Sequence, residues 1–173
     1  MYQRILVPID GSAPSDRALA EAIALARMSG GHIRLLHVLD ELVFVTGFET
    51  GVTYLNTVLP QLRQRSEELL SARRERVAEA GVAVDSLCAE CFARRTSDVI
   101  TEQASAWPAD VIVLGTHGRR GVGRLMLGSD AEQVLRMTPV PVLLVRSPDT
   151  ASGVRAARSP AAEAAAGLGA LAG

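Results

Sequence analysis

Gly115, Thr116, His117 and Gly118 make a close glycine pair; nine residues follow, and Gly128-Ser129 then opens a stretch with helical apolar spacing. Such a pattern suits an anion cradle. Glycines let backbone N–H groups come close to phosphate oxygens, and a helix start adds unpaired donors and a positive dipole end. The Ser129 hydroxyl adds another donor, and Arg119, Arg120 and Arg124 lie between the two ends, where guanidinium forks suit phosphate. His117 sits inside the loop and could touch phosphate or act as an acid. The motif supplies it with no carboxylate or nucleophile, so it reads as a loop-packing residue. The plainer alternative is a solvated loop whose glycines serve only the turns.

Other residues of chemical interest fall away. All 18 basic residues are arginine, which removes the P-loop lysine, Schiff bases and lysine general bases. Asp10 ends the first apolar run, where receiver domains keep acids for magnesium. Those domains also need an aspartate after the third strand and a lysine after the fifth; here the third run ends Cys91-Phe92-Ala93. Cys88-Ala89-Glu90-Cys91 has redox or zinc spacing, but residues three apart on a strand point to opposite faces, and no second pair completes a four-ligand site. His37 reads as a strand residue and His32 as a turn residue. No nucleophile elbow or zincin helix is present, and Gly121-Val122-Gly123 lacks the strand-then-helix setting of a dinucleotide fingerprint.

Positioning the glycine motif requires a scaffold, and the rest of the sequence reads as one. Of 173 residues 48% are hydrophobic and 21% charged, with a net charge of -1, so a core can form and no global field draws the protein to nucleic acid or an anionic membrane. Ile5-Leu6-Val7 precedes a helix with Leu19, Ala22, Ile23 and Ala26 on one face, Ser12 as its N-cap and Gly30-Gly31 as its stop. Ile33 to Val38 forms the next strand. After a long Asp40 to Leu55 loop, a helix over about Asn56 to Ala80 puts Leu62, Ser66, Leu69, Leu70, Arg73, Val77 and Ala80 on one stripe. Val82 to Glu90 mixes apolar and polar residues, as an edge strand does, and a helix from about Thr96 to Trp107 ends before Pro108. Val111 to Leu114 is wholly apolar, as suits a parallel strand covered on both faces; a helix over about Ser129 to Met137 and the run Val140 to Val145 follow.

Strands alternating with helices predict an α/β fold: one open, doubly wound, five-stranded parallel sheet with helices on both faces. Ligands of such sheets bind where the winding reverses, so the loops after strands one and four belong side by side, giving the order 3-2-1-4-5. The last strand, Val140 to Val145, is then an apolar edge that invites pairing, and a homodimer through it is expected. A fold-back of the Ala-rich tail onto that edge is the alternative. The domain is expected over 1–147, with 148–173 a flexible Ala/Gly-rich appendage. Two cysteines are no disulfide framework, and no window offers the apolar length of a membrane span, so a soluble cytoplasmic protein is expected.

Gly115 and Gly118, nine residues, then Gly128 and Ser129 match the G-x2-G-x9-G-[S/T] nucleotide motif, and the sequence resembles the universal stress protein family over about Tyr2 to Arg146. The opening Ile5-Leu6-Val7-Pro8-Ile9-Asp10-Gly11-Ser12, Leu36-His37-Val38 and Val140 to Val145 carry the same resemblance. It implies a Rossmann-like, adenine nucleotide alpha hydrolase-like fold, dimerisation, and the ATP-binding branch of the family. Carried over, Gly115, Gly118, Gly128 and Ser129 would hold ribose and phosphates and Asp10 would reach the ribose, while Pro8, Val38 and Leu114 would line the adenine pocket, with Ile9 beside them. Asp130 stands where some ATP-binding relatives carry a small apolar residue. It reads as a partner of the helix dipole, with repulsion of phosphate or help to a magnesium ion as the alternatives.

These readings predict a nucleotide-binding regulatory dimer of the stress response that holds ATP with magnesium and acts through its bound state. Two competitors come from other classes. One is a slow ATP hydrolase or phosphoryl-transfer enzyme, for which His117 is the best of poor candidates to orient water. The other is an interaction module with a vestigial pocket.

Overall fold

The structure is a computed structural model and describes residues 1–40, 56, 58–91, 94–116 and 127–146. Strand β1 (Arg4–Pro8) leads into helix α1 (Ala13–Ser29). Ser12 caps α1 by accepting from the Ser15 amide, Pro14 stands in the first turn, and Gly30 closes the helix with φ 65°. Strand β2 (His32–Asp40), helix α2 (Leu59–Glu79) and strand β3 (Ala83–Cys91) follow. Helix α3 (Thr96–Ala106), strand β4 (Val111–Gly115), helix α4 (Ser129–Met137) and strand β5 (Val142–Val145) complete the domain. The last strand is shorter than the Val140 to Val145 run: Pro141 has no N–H and contributes only its carbonyl, which accepts from Ile112. The proposed appendage 148–173 lies outside the described residues, as does nearly all of the long Asp40 to Leu55 loop.

All pairings are parallel, in the order β3-β2-β1-β4-β5. Period-two alternation splits β1 between two cores. Ile5 and Val7 join Leu19, Leu35, Leu70 and Val77 under α1 and α2, whereas Leu6 joins Leu36, Ile100, Ile112, Leu114 and Val134 under α3 and α4. Residues 111 to 114 are all buried, as their apolar run predicts, and β3 is half-exposed at one edge. Cys88 packs toward the α1/α2 core, and partial burial pushes its thiol above the usual range; the Cys91 thiol donates to the Arg94 carbonyl. Among the described residues, no helix is long and apolar enough to cross a membrane.

The β1–β4 seam is pinned at one end. Asp110, just before β4, donates its amide to the Arg4 carbonyl, and its carboxylate accepts from the Gln3 and Arg4 amides at 2.8 Å each. The Arg4 amide above all, opposed by burial and helped by the Gln3 amide and the Arg4 charge, holds the Asp110 carboxyl below its usual pKa. A carboxyl lowered in the folded state stabilises above its unfolded pKa, and that contribution is lost as pH falls through the lowered value. Asp110→Ala should therefore cost about 1 kcal/mol at neutral pH, with the deficit against the parent shrinking below pH ~4. Urea melts at neutral and acid pH check this; a deficit independent of pH would contradict it.

Candidate functional site

At the other end the same seam opens. Parallel strands present alternate residues to alternate neighbours. The Gln3 carbonyl and the Ile9 amide bond to β2, at His32 and Leu36, while the Arg4 carbonyl bonds toward β4. Even-numbered residues of β1 therefore face β4, and Pro8, the next in that series after Leu6, has no N–H to offer. The β1–β4 ladder accordingly ends at Leu6↔Ile112, whereas β1–β2 pairing runs on to Pro8↔Leu36 and β4–β5 pairing to Gly115↔Val145. The sheet parts beyond the carboxyl ends of β1 and β4, at the point where its winding reverses.

One wall of this crevice is the turn from β1 into α1. Ile9 is buried and held by β2 at both polar atoms: its amide donates to Leu36 at 2.7 Å, and its carbonyl accepts from His37 Nδ1 at 2.6 Å. Asp10 follows, half-buried. Its Oδ1 accepts from the Ser12 amide at 2.9 Å and the Ser12 hydroxyl at 2.6 Å, so the residue that caps α1 also orients this carboxylate. Gly11 completes the turn with φ 80°, a conformation that favours glycine. Arg73 of α2 then clamps the first turn of α1 with two contacts of 3.1 Å to Asp16.

The opposite wall joins β4 to α4. The buried Thr116 donates its amide to Val145 at 3.0 Å and accepts from the Gly128 amide at 2.8 Å, bringing the two ends of the glycine motif together. Gly128 is the N-cap of α4 and has no side chain with which to cap it; Asp130 and Glu132 stand in the first turn, Glu132 paired to Arg136 at 2.7 Å. Ser129 and Asp130 are exposed. The glycines differ in kind. A Cβ on Gly115 would lie 2.8 Å from both the carbonyl carbon and the carbonyl oxygen of Pro14, so this glycine lets α1 press against the end of β4. Gly128, with φ -59° and ψ 144°, has a backbone open to any residue.

The crevice thus gathers Pro8, Ile9 and Asp10 from the first turn, Leu114 and Gly115 from β4, and Gly128, Ser129 and Asp130 from the start of α4. Val38, on β2, packs against the apolar cluster that includes Leu114 on the α3/α4 side of the sheet, the side that Pro8 shares with Leu6 by parity. His117, Gly118, Arg119, Arg120 and Arg124 lie outside the described residues. Sequence reasoning missed Thr116 as the tie across the motif, and it placed His37 only as a strand residue. The signal for Thr116 was its position inside the glycine pair; for His37 the partner is a backbone carbonyl, which leaves no mark on a sequence. Among the described residues no group of three or more His, Cys, Asp or Glu could hold a metal ion. Chemically, the arrangement offers backbone donors at a helix start, an oriented carboxylate and an apolar flank.

The model of the universal stress protein family matches residues 1–146. Universal stress protein YxiE of Bacillus subtilis is 30% identical over 151 residues, covering 84% of this protein and all of that one. The solved structure of the hypothetical protein MJ0577 superposes with a TM-score of 0.76 at 24% identity, over 87% of this protein and 99% of that one. A universal stress protein in complex with cAMP has a TM-score of 0.64 at 22% identity, over 85% and 99% of the two proteins. One from Archaeoglobus fulgidus in complex with dAMP has 0.57 at 21%, over 83% and 97%. The sheet order, the parted seam and these matches agree, and the protein belongs to the universal stress protein family.

Proposed function

We propose that this protein binds an adenine nucleotide, ATP together with magnesium, in the crevice beyond β1 and β4, and acts in the cytoplasm as a dimeric regulator of the stress response through its bound state. The observation that carries the reading is the tie between Gly128 and Thr116, which sets the start of α4 beside the parted seam. An anion there meets backbone donors and the positive end of the helix dipole. The adenylate ligands of the two fold neighbours, cAMP and dAMP, support the choice of base.

The apolar flank of Val38 and Leu114 would hold the base, Asp10 would accept from the ribose hydroxyls, and Gly128 and Ser129 would face the phosphates. Asp10 already accepts twice from Ser12 through Oδ1, and no three-ligand cluster exists among the described residues. That donor set fits a magnesium ion held chiefly by phosphate oxygens and water rather than by a protein cage. Asp130 serves the dipole of α4. The experiment is calorimetric titration of the purified protein with ATP, ADP and AMP in magnesium, alongside identification of whatever small molecule denaturation releases. Saturable heat with one site per protomer is expected. No heat and no thermal shift with any of the three would overturn the reading.

The dimer is proposed through β5, the last strand in the sheet order. Leu143 on that strand is 41% exposed, and Leu135 and Met137 of α4 are 48% and 54% exposed. Covering such a face is the ordinary remedy for an apolar edge. Leu143→Glu should convert a dimer to monomers by light scattering; a parent that is already monomeric at micromolar concentration contradicts the assignment.

A further inference from the structure

We propose that His37 is a positioning residue for nucleotide binding, acting through the Ile9 carbonyl on the turn that presents Asp10; this rests on the adenine-nucleotide reading above. His37 is a buried polar side chain, only 7% exposed, on β2, one residue beyond Leu36, whose carbonyl accepts from the Ile9 amide. Its Nδ1 lies 2.6 Å from the Ile9 carbonyl oxygen. A carbonyl can only accept, so Nδ1 carries the proton and donates.

The bond falls where sheet pairing runs out. Beyond Pro8 the backbone has left the β1–β4 ladder, and on the β2 side the last backbone bond is Ile9 N–H to Leu36. With the His37 donor, both polar atoms of Ile9 are fixed to β2, one residue before Asp10. On the other side the turn is fixed by Ser12, which holds Asp10 and caps α1, and by Gly115, which abuts Pro14. Asp10 is therefore held from both directions along the sequence. The His37 bond is made by a side chain of β2, so a substitution there removes it without touching the turn itself. Losing it leaves the buried Ile9 carbonyl without its imidazole partner and frees the peptide that aims the Asp10 side chain, so affinity falls through orientation rather than through a lost contact to ligand.

The test compares His37→Leu, His37→Asn and His37→Gln. Asn places an amide N–H where the imidazole Nδ1 stands; Gln places it one bond further out; Leu has no donor. Each folded variant is titrated with ATP and magnesium by calorimetry at a temperature well below its own melting point. Leu and Gln are expected to bind about tenfold more weakly than the parent, and Asn within about threefold of it, although Asn leaves the larger cavity and melts lowest. Affinity that follows melting temperature instead of donor position overturns the proposal, as does affinity unchanged in all three. A parent protein that binds no adenine nucleotide removes the nucleotide reading as well, which separates the two failures. Long-range nitrogen-15 spectra of the parent must also show His37 protonated on Nδ1; the Nε2–H tautomer contradicts the geometry.

Discussion

Gly115→Ala is expected to destabilise the fold by about 3 kcal/mol, lowering Tm by roughly 10 °C, although it adds a single methyl group to a strand. The backbone of Gly115 is ordinary strand, so the cost is steric: a Cβ would stand 2.8 Å from the Pro14 carbonyl carbon and oxygen and 3.0 Å from its Cβ. Two of those three atoms belong to the backbone. Pro14 lies in the first turn of α1, which is capped by Ser12 and clamped by Arg73, so the helix start cannot yield without breaking those contacts. Trimming the obstacle with Pro14→Ala should not rescue the variant. Thermal melts of the single and double variants check both statements, and a Gly115→Ala protein as stable as the parent would mean that α1 does not press on β4 as described.

Gly128→Asp should behave in the opposite way. Its φ of -59° and ψ of 144° suit any residue, and its amide bond to Thr116 does not depend on a side chain. An aspartate N-cap would satisfy the start of α4 and raise stability by a few tenths of a kcal/mol. The same carboxylate would occupy the donors proposed for phosphate and repel it, so ATP affinity should fall at least about 100-fold. A stable protein that has lost its nucleotide is the expected outcome. Undiminished binding by Gly128→Asp would remove the start of α4 from the site. Together the pair of variants distinguishes a glycine required by internal packing from one required by the ligand, a distinction that the motif alone does not make.

What could be read from the sequence was local or periodic. Ser12 and Gly30 mark the ends of α1 because caps are made by residues within a turn of the helix. The polar mixture of β3 against the unbroken Val111 to Leu114 distinguishes an edge from a centre, and with the two chemically marked loops it yields the order 3-2-1-4-5. The winding rule put the loops after β1 and β4 at the carboxyl end of the sheet, and the resemblance to the universal stress proteins named the residues expected to hold a ligand there. What was not legible depends on partners distant in sequence. Pro8 ends the β1–β4 ladder only because its missing N–H faces β4 rather than β2. Gly115 is required by Pro14, on a helix at the opposite end of the sequence, and Asp110 pins the seam through the Gln3 and Arg4 amides. The His37 donor became visible only when β2 was laid beside Ile9. Each of these depends on a partner distant in sequence, for which neither hydropathy nor spacing has a signature.

Backbone amide shifts during a titration with ATP and magnesium test the proposed nucleotide site directly. The predicted result is a saturable set of changes concentrated at Asp10 and Gly11, at Gly115 and Thr116, and at Gly128, Ser129 and Asp130, with little change at the far end of the sheet around Gln3, His32 and Asp110. Saturable changes centred on that far end, or none at the start of α4, would contradict it.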